Sequence, residues 1–108
     1  SNLDTYVNVI GGLKLDEPAS DLAVALSLIS SLKNQVISED ILAFGEIGLA
    51  GEVRGVSFAQ ERISEASRLG FKKCILPFQN LRSLQNKSSN NIDLIGVKNV
   101  REAFAALC

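Results

Sequence analysis

The stretch from Pro18 to about Lys33 is the sequence feature that most restricts the fold. Proline suits the first turn of a helix, where its missing N–H costs nothing, and the apolar residues that follow predict a helix. Those apolar residues are Leu22, Val24, Leu26, Leu28, Ile29 and Leu32. They leave little polar face, because they surround the helix almost completely. The helix is therefore expected to be buried on most sides by other elements.

The remainder of the chain alternates strand patterns with two further helical patterns. Strands are predicted at 5–10, 71–77 and 92–97, a β-hairpin at 41–56 with its turn near 49–51, and helices at 57–69 and 99–107. The polar residues 82–91 predict a mobile loop. This order predicts an α/β (α+β) fold, a two-layer sandwich with a mixed sheet, in which 71–77 and 92–97 are candidates for parallel pairing.

Several residues have specific predicted positions in these elements. Gly45, inside the predicted hairpin, indicates a bulge or a close approach of the backbone. Asn99 is a plausible cap of the last helix. In the helix at 57–69, which Gly70 ends, the residues expected to face inward are Phe58, Ile63, Ala66 and Leu69.

Length and composition restrict the class of protein. The 108 residues fit a single domain and carry a net charge of −1, so any nucleic-acid contact must come from a local basic face. Histidine is absent, which excludes Ser-His and Cys-His catalysis. The two cysteines cannot by themselves complete a tetrahedral zinc site. We therefore expect no metal and no cofactor in this domain.

Apolar runs and cysteines indicate the compartment. No run reaches the roughly 20 apolar residues that a membrane span needs, and no signal peptide opens the chain. Without a secretory signal, Cys74 and Cys108 are expected to be reduced thiols, with Cys74 as inert packing in an apolar strand. We predict a cytoplasmic protein that has no membrane contact.

Ser20 is the residue with the most direct catalytic interpretation. It lies where the proline-started helix begins, and a helix start collects unpaired N–H groups that suit an anion or a developing oxyanion. Such a serine is either a nucleophile or, more commonly, a capping residue.

Three segments in a fixed order resemble a known family. DEPASDLAVAL, FGEIGLAGEVRGV and QERISEASRLGFKKCILPFQN are similar to parts of the Lon-protease-like C-terminal domain of bacterial RadA/Sms DNA-repair ATPases. The resemblance runs from about Tyr6 to the C-terminus. It implies the ribosomal-S5-domain-2-like fold of Lon proteolytic domains. It also implies that residues 1–108 are one Lon-like domain of a longer chain, whose upstream ATPase part is absent here.

The resemblance also implies where a catalytic dyad would lie. In Lon proteases the corresponding stretch reads D-G-P-S-A-G with the serine as nucleophile, and a lysine in the helix after the hairpin is its base. Asp16 and Pro18 match this pattern, but Ala19 occupies the serine position. Gln60 occupies the lysine position, counted back from Gly70. The resemblance therefore implies a pseudo-protease that lacks both halves of the dyad.

An active Ser-Lys peptidase is the alternative, with Ser20 as nucleophile. Successive helical residues are rotated by about 100°, so Ser20 points to a different side from Ala19. A lysine base must be held neutral. Lys14, Lys33, Lys72 and Lys73 lie outside the expected position, and Arg62, close to it, cannot accept a proton. These arguments favour Ser20 and Asp21 as capping residues.

The resemblance implies a homo-hexameric ring that binds DNA and drives branch migration, with ATP and Mg²⁺ bound upstream of this domain. Five basic residues are candidates for phosphate contacts: Arg54, Arg62, Arg68, Lys72 and Lys73. The alternative is a solvated helix face, since Glu61 and Glu65 can pair with these arginines. Glu46 and Glu52 are read as charges at the hairpin edge rather than metal ligands, because no third ligand is close.

Overall fold

The computed structural model describes residues 17–84 and 91–107. The elements in chain order are a 3-10 turn (Pro18–Ser20), α1 (Asp21–Leu32), β1 (Ile41–Ala43), β2 (Glu46–Ile47), β3 (Val53–Arg54), α2 (Ala59–Arg68), β4 (Lys73–Pro77), α3 (Phe78–Ser83), β5 (Asp93–Val97) and α4 (Val100–Ala105). The predicted strand at 5–10, Lys14 and Cys108 lie outside the described residues.

A parallel sheet in the order β1-β4-β5 forms the centre of the fold. Lys73 pairs with Ile41 on one side and with Asp93 on the other, and the register continues to the ends of the strands. The predicted parallel pairing of 71–77 with 92–97 is confirmed, as is the mixed α/β class. All three strands end at the same end of the sheet, which we call the carboxyl end; the opposite end is the amino end.

The predicted hairpin at 41–56 is only partly correct. Glu46–Ile47 and Val53–Arg54 pair as a short antiparallel ribbon, but β1 leaves that ribbon and joins the parallel sheet. The reason is burial: residues 41–44 are all buried, which is typical of a strand covered on both faces rather than one arm of an exposed hairpin. The chain changes direction at Gly45, so the two runs belong to different sheets.

Two apolar clusters alternate along the strands. One contains Ile41, Ala43, Ile75 and Val97 together with Leu22 and Leu26 of α1 and Ala103 of α4. The other contains Leu42, Cys74 and Leu76 together with Ala59, Ile63 and Ala66 of α2. Because successive strand residues point to opposite faces, the two clusters lie on opposite faces of the sheet. Helices therefore cover both faces of the sheet. The order of elements alone had predicted a sandwich of two layers.

The predictions for α2 are correct at its centre and wrong at its ends. Ile63 and Ala66 are buried, but Phe58 is 68% exposed and Leu69 is 45% exposed. Phe58 precedes the helix with φ 64°, so its side chain does not follow the helical repeat. Leu69 is the C-cap, followed by Gly70 with φ 96°. Helical periodicity therefore fails at Phe58, whereas Leu69 keeps helical backbone angles and is partly exposed at the end of the helix.

The last two helices differ in how well the sequence predicts them. Asn99 caps α4 as predicted, since its Oδ1 accepts the Glu102 N–H over 2.9 Å. α3 was missed because Phe78–Ser83 has no side-chain cap and follows Pro77 directly. Tertiary bonds support α3 instead: the Asn80 side chain accepts the Val56 N–H and donates to the Val56 carbonyl oxygen. Over residues 17–84 and 91–107, every helix is too short or too polar to cross a membrane.

Candidate functional site at the proline turn

The turn at Pro18–Ser20 is held against the end of β1 by backbone hydrogen bonds. The Gly45 N–H donates to the Ala19 carbonyl oxygen over 2.8 Å, and the Leu22 N–H donates to the Gly45 carbonyl oxygen over 3.0 Å. This close approach requires glycine, because a Cβ atom at Gly45 would lie 2.9 Å from Val53 Cγ1. The start of α1, the end of β1 and the β2–β3 ribbon therefore meet at the carboxyl end of the sheet.

Ala19 and Ser20 lie side by side in this turn, and both are buried. Ala19 presents only a methyl group at the position that the resemblance assigns to the nucleophile. The Ser20 Oγ donates a hydrogen bond of 2.7 Å to the Glu17 carbonyl oxygen, which closes the turn. A hydroxyl in this position stabilises the backbone of the turn, and full burial keeps it away from a substrate in solvent.

The prediction that Ser20 and Asp21 cap the helix is wrong. The Ser20 side chain makes no capping hydrogen bond. The Asp21 Oδ2 instead accepts the Ile47 N–H over 3.1 Å, which ties the helix to β2. The physical reason is that the 3-10 turn already bonds Ser20 back to Glu17, while the ribbon brings an unpaired backbone N–H to the Asp21 carboxylate.

Gln60 lies in the first turn of α2 and is half-buried. Its side-chain amide nitrogen lies 3.3 Å from the Ser64 Oγ, one turn further along the same helix. An amide has no basic site at neutral pH, so this side chain cannot remove a proton from a nucleophile.

Lys33 and Lys73 lie far from the proline turn. Lys33 follows the end of α1, and at 1.5 Å per residue the 12-residue helix separates it from Ser20 by about 18 Å. Lys73 pairs with Ile41, four residues before Gly45, which corresponds to about 13 Å along a strand. Both distances exceed hydrogen-bond reach several-fold.

Arg62 joins α2 to the proline turn. Its Nη2 lies 3.4 Å from the Glu17 Oε1, its Nε donates to the Ser57 carbonyl oxygen over 3.0 Å, and its guanidinium carbon lies 6.0 Å from the centroid of the Phe44 ring. Only 18% of the Arg62 side chain is exposed. Arg62 is thus committed to contacts within the fold, which sets it apart from the other phosphate-contact candidates.

The other four basic candidates lie at opposite ends of the sheet. Arg54, in β3 beyond the carboxyl end, pairs with Glu52 over 2.8 Å. Arg68 ends α2 and leads through a short turn to Lys72 and Lys73 at the amino end. The structure therefore brings Arg68, Lys72 and Lys73 into one region and separates Arg54 from them.

Within that region the three side chains differ in how many contacts they already make inside the fold. Arg68 forms an ion pair with Glu65, one turn earlier in the helix, which raises the pKa of the guanidinium and lowers that of the carboxyl. Lys73 donates to the Ala106 carbonyl oxygen over 3.2 Å. Lys72 is exposed.

The two hairpin carboxylates behave as edge charges. Glu52 folds over the turn, where it accepts the Ala50 N–H and the Arg54 guanidinium, and hydrogen bonds from the backbone and from Arg54 lower its pKa. Glu46 pairs in register with Arg54 across the ribbon. Among residues 17–84 and 91–107, no group of three or more potential ligands is arranged to hold a metal ion.

Cys74 is fully buried in β4, and burial raises the pKa of its thiol far above the ordinary value. A thiol that stays protonated is a poor nucleophile and a poor metal ligand. The predicted role in packing is therefore confirmed by its position in the apolar cluster of α2.

Sequence reasoning missed Lys98, a lysine at the carboxyl end of the sheet. Its Nζ lies 4.8 Å from the centroid of the Phe78 ring, and its carbonyl oxygen accepts the Val53 N–H. A lysine stacked on an aromatic ring is held in place by that contact. No local pattern signalled it, because Lys98 and Phe78 are brought together by the parallel pairing of β4 with β5.

The comparison with protein families agrees with this arrangement of elements. The model of the Lon protease (S16) C-terminal proteolytic domain matches residues 2–107. The chain belongs to this family. The Lon-like resemblance that the three segments indicated is thereby confirmed.

Comparison with individual curated proteins gives relatives more specific than the family as a whole. The chain is 48% identical over 105 residues to DNA repair protein RadA of Haemophilus influenzae, 49% over 103 residues to that of Halalkalibacterium halodurans, and 42% over 102 residues to that of Escherichia coli. These matches cover 96%, 95% and 94% of this chain but 22% of each relative. The chain thus spans about a fifth of the length of the curated relatives it matches.

Proposed function

We propose that this chain is a non-catalytic Lon-like scaffold domain of a RadA-type recombinational DNA-repair ATPase, and that it supports hexameric ring assembly and DNA binding during branch migration. In this proposal ATP and Mg²⁺ are bound by the rest of the parent chain. The observation that carries the proposal is the proline turn, where a buried alanine methyl occupies the nucleophile position and the neighbouring serine is bonded to the backbone.

The chemistry of the surrounding side chains supports a loss of peptidase activity. Serine attack on a peptide needs a base that accepts the hydroxyl proton in the transition state. Gln60 has no such site, and the Arg62 guanidinium has only hydrogen-bond donors and is paired with Glu17. In this proposal the proline turn and α2 have the arrangement of a Lon-type peptidase, but their side chains make contacts within the fold.

Peptidase activity is tested with the full parent protein and with this chain, each incubated with a fluorescently labelled unfolded protein. We expect no release of peptides above the rate in buffer. The matched variant is Ser20→Ala, which removes the one hydroxyl in the turn. Hydrolysis that depends on Ser20 would overturn the proposal and establish the Ser-Lys peptidase alternative.

DNA binding is tested in the full parent protein by salt dependence. Each lost phosphate contact reduces the slope of log K against log[salt] by about 0.9 for duplex DNA. We expect Lys72→Ala to weaken binding and lower this slope, because Lys72 is exposed in the region shared with Arg68 and Lys73. Arg101→Ala, an exposed arginine outside the five candidates, is the matched control. An unchanged slope after combined removal of Arg68, Lys72 and Lys73 charges would exclude this region from DNA contact.

Ring assembly is tested separately, by light scattering on the parent protein with and without this domain. We expect six subunits only when the domain is present. Hexamers that form equally well without it would assign assembly to the ATPase part.

A further inference from the structure

The outer side of β5 carries backbone groups that the described fold leaves unpaired. β5 is the last strand of the sheet, and its Asp93 N–H donates to the Lys72 carbonyl oxygen over 2.9 Å. Alternate residues of a parallel strand bond to the same neighbour, so the N–H and C=O groups of Leu94 and Gly96 point away from β4. Over residues 17–84 and 91–107, no group makes a hydrogen bond to them. We call this outward side of residues 94–96 the β5 edge.

The β5 edge lacks the features that normally keep a second chain away from an edge strand. Such strands are protected by a charged side chain, a proline or a bulge. Residues 94–96 read Leu-Ile-Gly, and β5 pairs with β4 in unbroken register. The exposed apolar face of α1, where Leu28 is 52% and Leu32 is 85% exposed, would fit many kinds of surface. The β5 edge is more selective, since another extended backbone is what matches its alternating N–H and C=O groups.

The fold already adds an antiparallel strand to this side of the chain. At the next outward-facing position, the Lys98 carbonyl oxygen accepts the Val53 N–H over 2.8 Å, and Glu52 forms an antiparallel bridge with Asn99. This pairing stops at Lys98, whose own N–H donates to the Glu102 carboxylate. The β5 edge therefore continues, in line, an antiparallel pairing that the ribbon begins.

The side chains beside the β5 edge favour an acidic partner strand. Phe78 of α3 lies over Gly96, since a Cβ atom at Gly96 would be 3.1 Å from the Phe78 Cα. The Lys98 Nζ lies 4.8 Å from the Phe78 ring centroid, and Arg82 follows Phe78 by one helical turn, so both cations lie on this face. Both are exposed and form no ion pair with residues 17–84 and 91–107. Carboxylates on the same face of an added strand would pair with them.

We propose that the β5 edge binds an extended acidic segment of another protein as an added antiparallel strand, with its carboxylates toward Arg82 and Lys98. In this mode of recognition the main-chain bonds supply affinity and alternate side chains supply specificity. The β5 edge lies two strands, about 10 Å, from β1, so it is separate from the proline turn at the end of β1.

A second copy of β5 fits this edge less well. The ribbon occupies the position opposite Lys98, so an antiparallel copy has room only when it is centred on Leu94. That register places the two Asp93 carboxylates diagonally across the pair, about 7–8 Å apart. Like charges at this spacing oppose self-association, whereas an acidic segment of another protein meets Arg82 and Lys98.

A synthetic peptide provides the first test. The probe has about seven residues of alternating Glu and Val with blocked ends, so that an extended strand has its carboxylates on one face and its valines on the other. With this peptide bound, hydrogen exchange of the Leu94 and Gly96 amides, followed by NMR, should slow several-fold. The Ile95 amide already bonds to β4 and should change little. A peptide of alternating Lys and Val is the control and should protect Leu94 and Gly96 much less.

Two variants separate the backbone contribution from the charge contribution. Leu94→Pro removes the outward N–H and none of the bonds to β4, so this variant should fold and lose the peptide-induced protection at Gly96. Lys98→Glu leaves the edge backbone unchanged and should weaken binding of the Glu-Val peptide several-fold. Lys33→Glu is the matched control, because Lys33 contacts Phe104 on the opposite face of the sheet.

Four results would overturn the proposal. The first is no protection of Leu94 and Gly96 at millimolar Glu-Val peptide, and the second is equal protection by the Lys-Val peptide. Protection without peptide that increases with chain concentration would assign the edge to a second copy. Protection without peptide at every concentration would show that another part of the same chain covers it. None of these results bears on peptidase activity or DNA binding.

Discussion

Glu17 and Arg62 are 45 positions apart in sequence and form an ion pair, with 3.4 Å between Oε1 and Nη2. The pair connects the residue before the proline turn to α2. In the Lon pattern that the sequence resembles, glycine occupies the position of Glu17, and the catalytic lysine lies two residues before the position of Arg62. The ion pair therefore joins the two segments in which the resemblance places a catalytic dyad.

Replacing Arg62 should lower stability. Arg62→Ala removes the pair with Glu17 and the hydrogen bond to Ser57 from a mostly buried side chain. We expect the free energy of unfolding to fall by about 1–3 kcal/mol, since hydrogen bonds to charged groups contribute on this scale. Urea unfolding measures the change. Arg62→Lys keeps the charge but loses the planar guanidinium group. Its decrease in the free energy of unfolding should therefore be smaller than that of Arg62→Ala. Equal stability of Arg62→Ala and the parent chain would contradict the assigned role.

Gly45 should be intolerant of any side chain. In Gly45→Ala the new Cβ would lie 2.9 Å from Val53 Cγ1 and 3.3 Å from Pro77 Cγ, so the ribbon must move away from the proline turn. Overpacking of this kind costs about 1–3 kcal/mol. Gly55→Ala is the matched control, because its Cβ would come closest to the flexible end of Gln79, at 3.2 Å, and would make an ordinary contact of 3.6 Å with Asn80 Nδ2. Thermal melting of both variants checks the prediction, and a larger loss in Gly55→Ala would contradict it.

Asn99 should contribute a measurable helix cap. Asn99→Ala leaves the Glu102 N–H without its side-chain acceptor, and a lost N-cap costs about 1 kcal/mol. In a domain of this size the melting temperature should fall by roughly 4–8 °C. Asn99→Asp retains an acceptor and should remain close to the parent chain. A full loss in the aspartate variant would show that the cap is not the cause.

Cys74 should make stability depend on pH in alkaline solution. Burial raises the pKa of this thiol in the folded chain, whereas the unfolded chain titrates near the ordinary value of about 8.5. The pKa of the thiol is higher in the folded chain than in the unfolded chain. The buried neutral thiol therefore makes its full contribution to the free energy of unfolding below pH ~8.5. That contribution is lost as the pH rises further, by at most about 1.4 kcal/mol per pH unit. Urea unfolding at several pH values measures the slope. Cys74→Ala is expected to be less stable overall, but its free energy of unfolding should fall less steeply with alkaline pH. The same pH dependence in both chains would show that Cys74 is not its cause.

Several elements were predictable because their signals are local. α1 begins at a proline and continues through an apolar run, α2 has an amphipathic centre, and Asn99 caps α4. β4 and β5 are short, largely apolar runs that each follow a turn. That Ala19 and Gln60 occupy the two positions of a lost dyad follows from the resemblance and stays a prediction.

Other features depend on contacts between distant residues. β1 was assigned to a hairpin because its neighbour in sequence is a strand, but its hydrogen bonds go to β4. Asp21 was assigned as a cap, but the ribbon offers it the Ile47 N–H. α3 depends on the bonds between Asn80 and Val56.

The sequence by itself determined α1, the centre of α2, the cap of α4 and the strands β4 and β5, because those properties follow from residue type and local spacing. Only the tertiary structure decided that Glu17 pairs with Arg62, that the basic candidates separate to opposite ends of the sheet, and that the outer face of α1 is exposed. The physical reason is that these are distances between residues far apart in sequence, and strand pairing and helix packing set such distances.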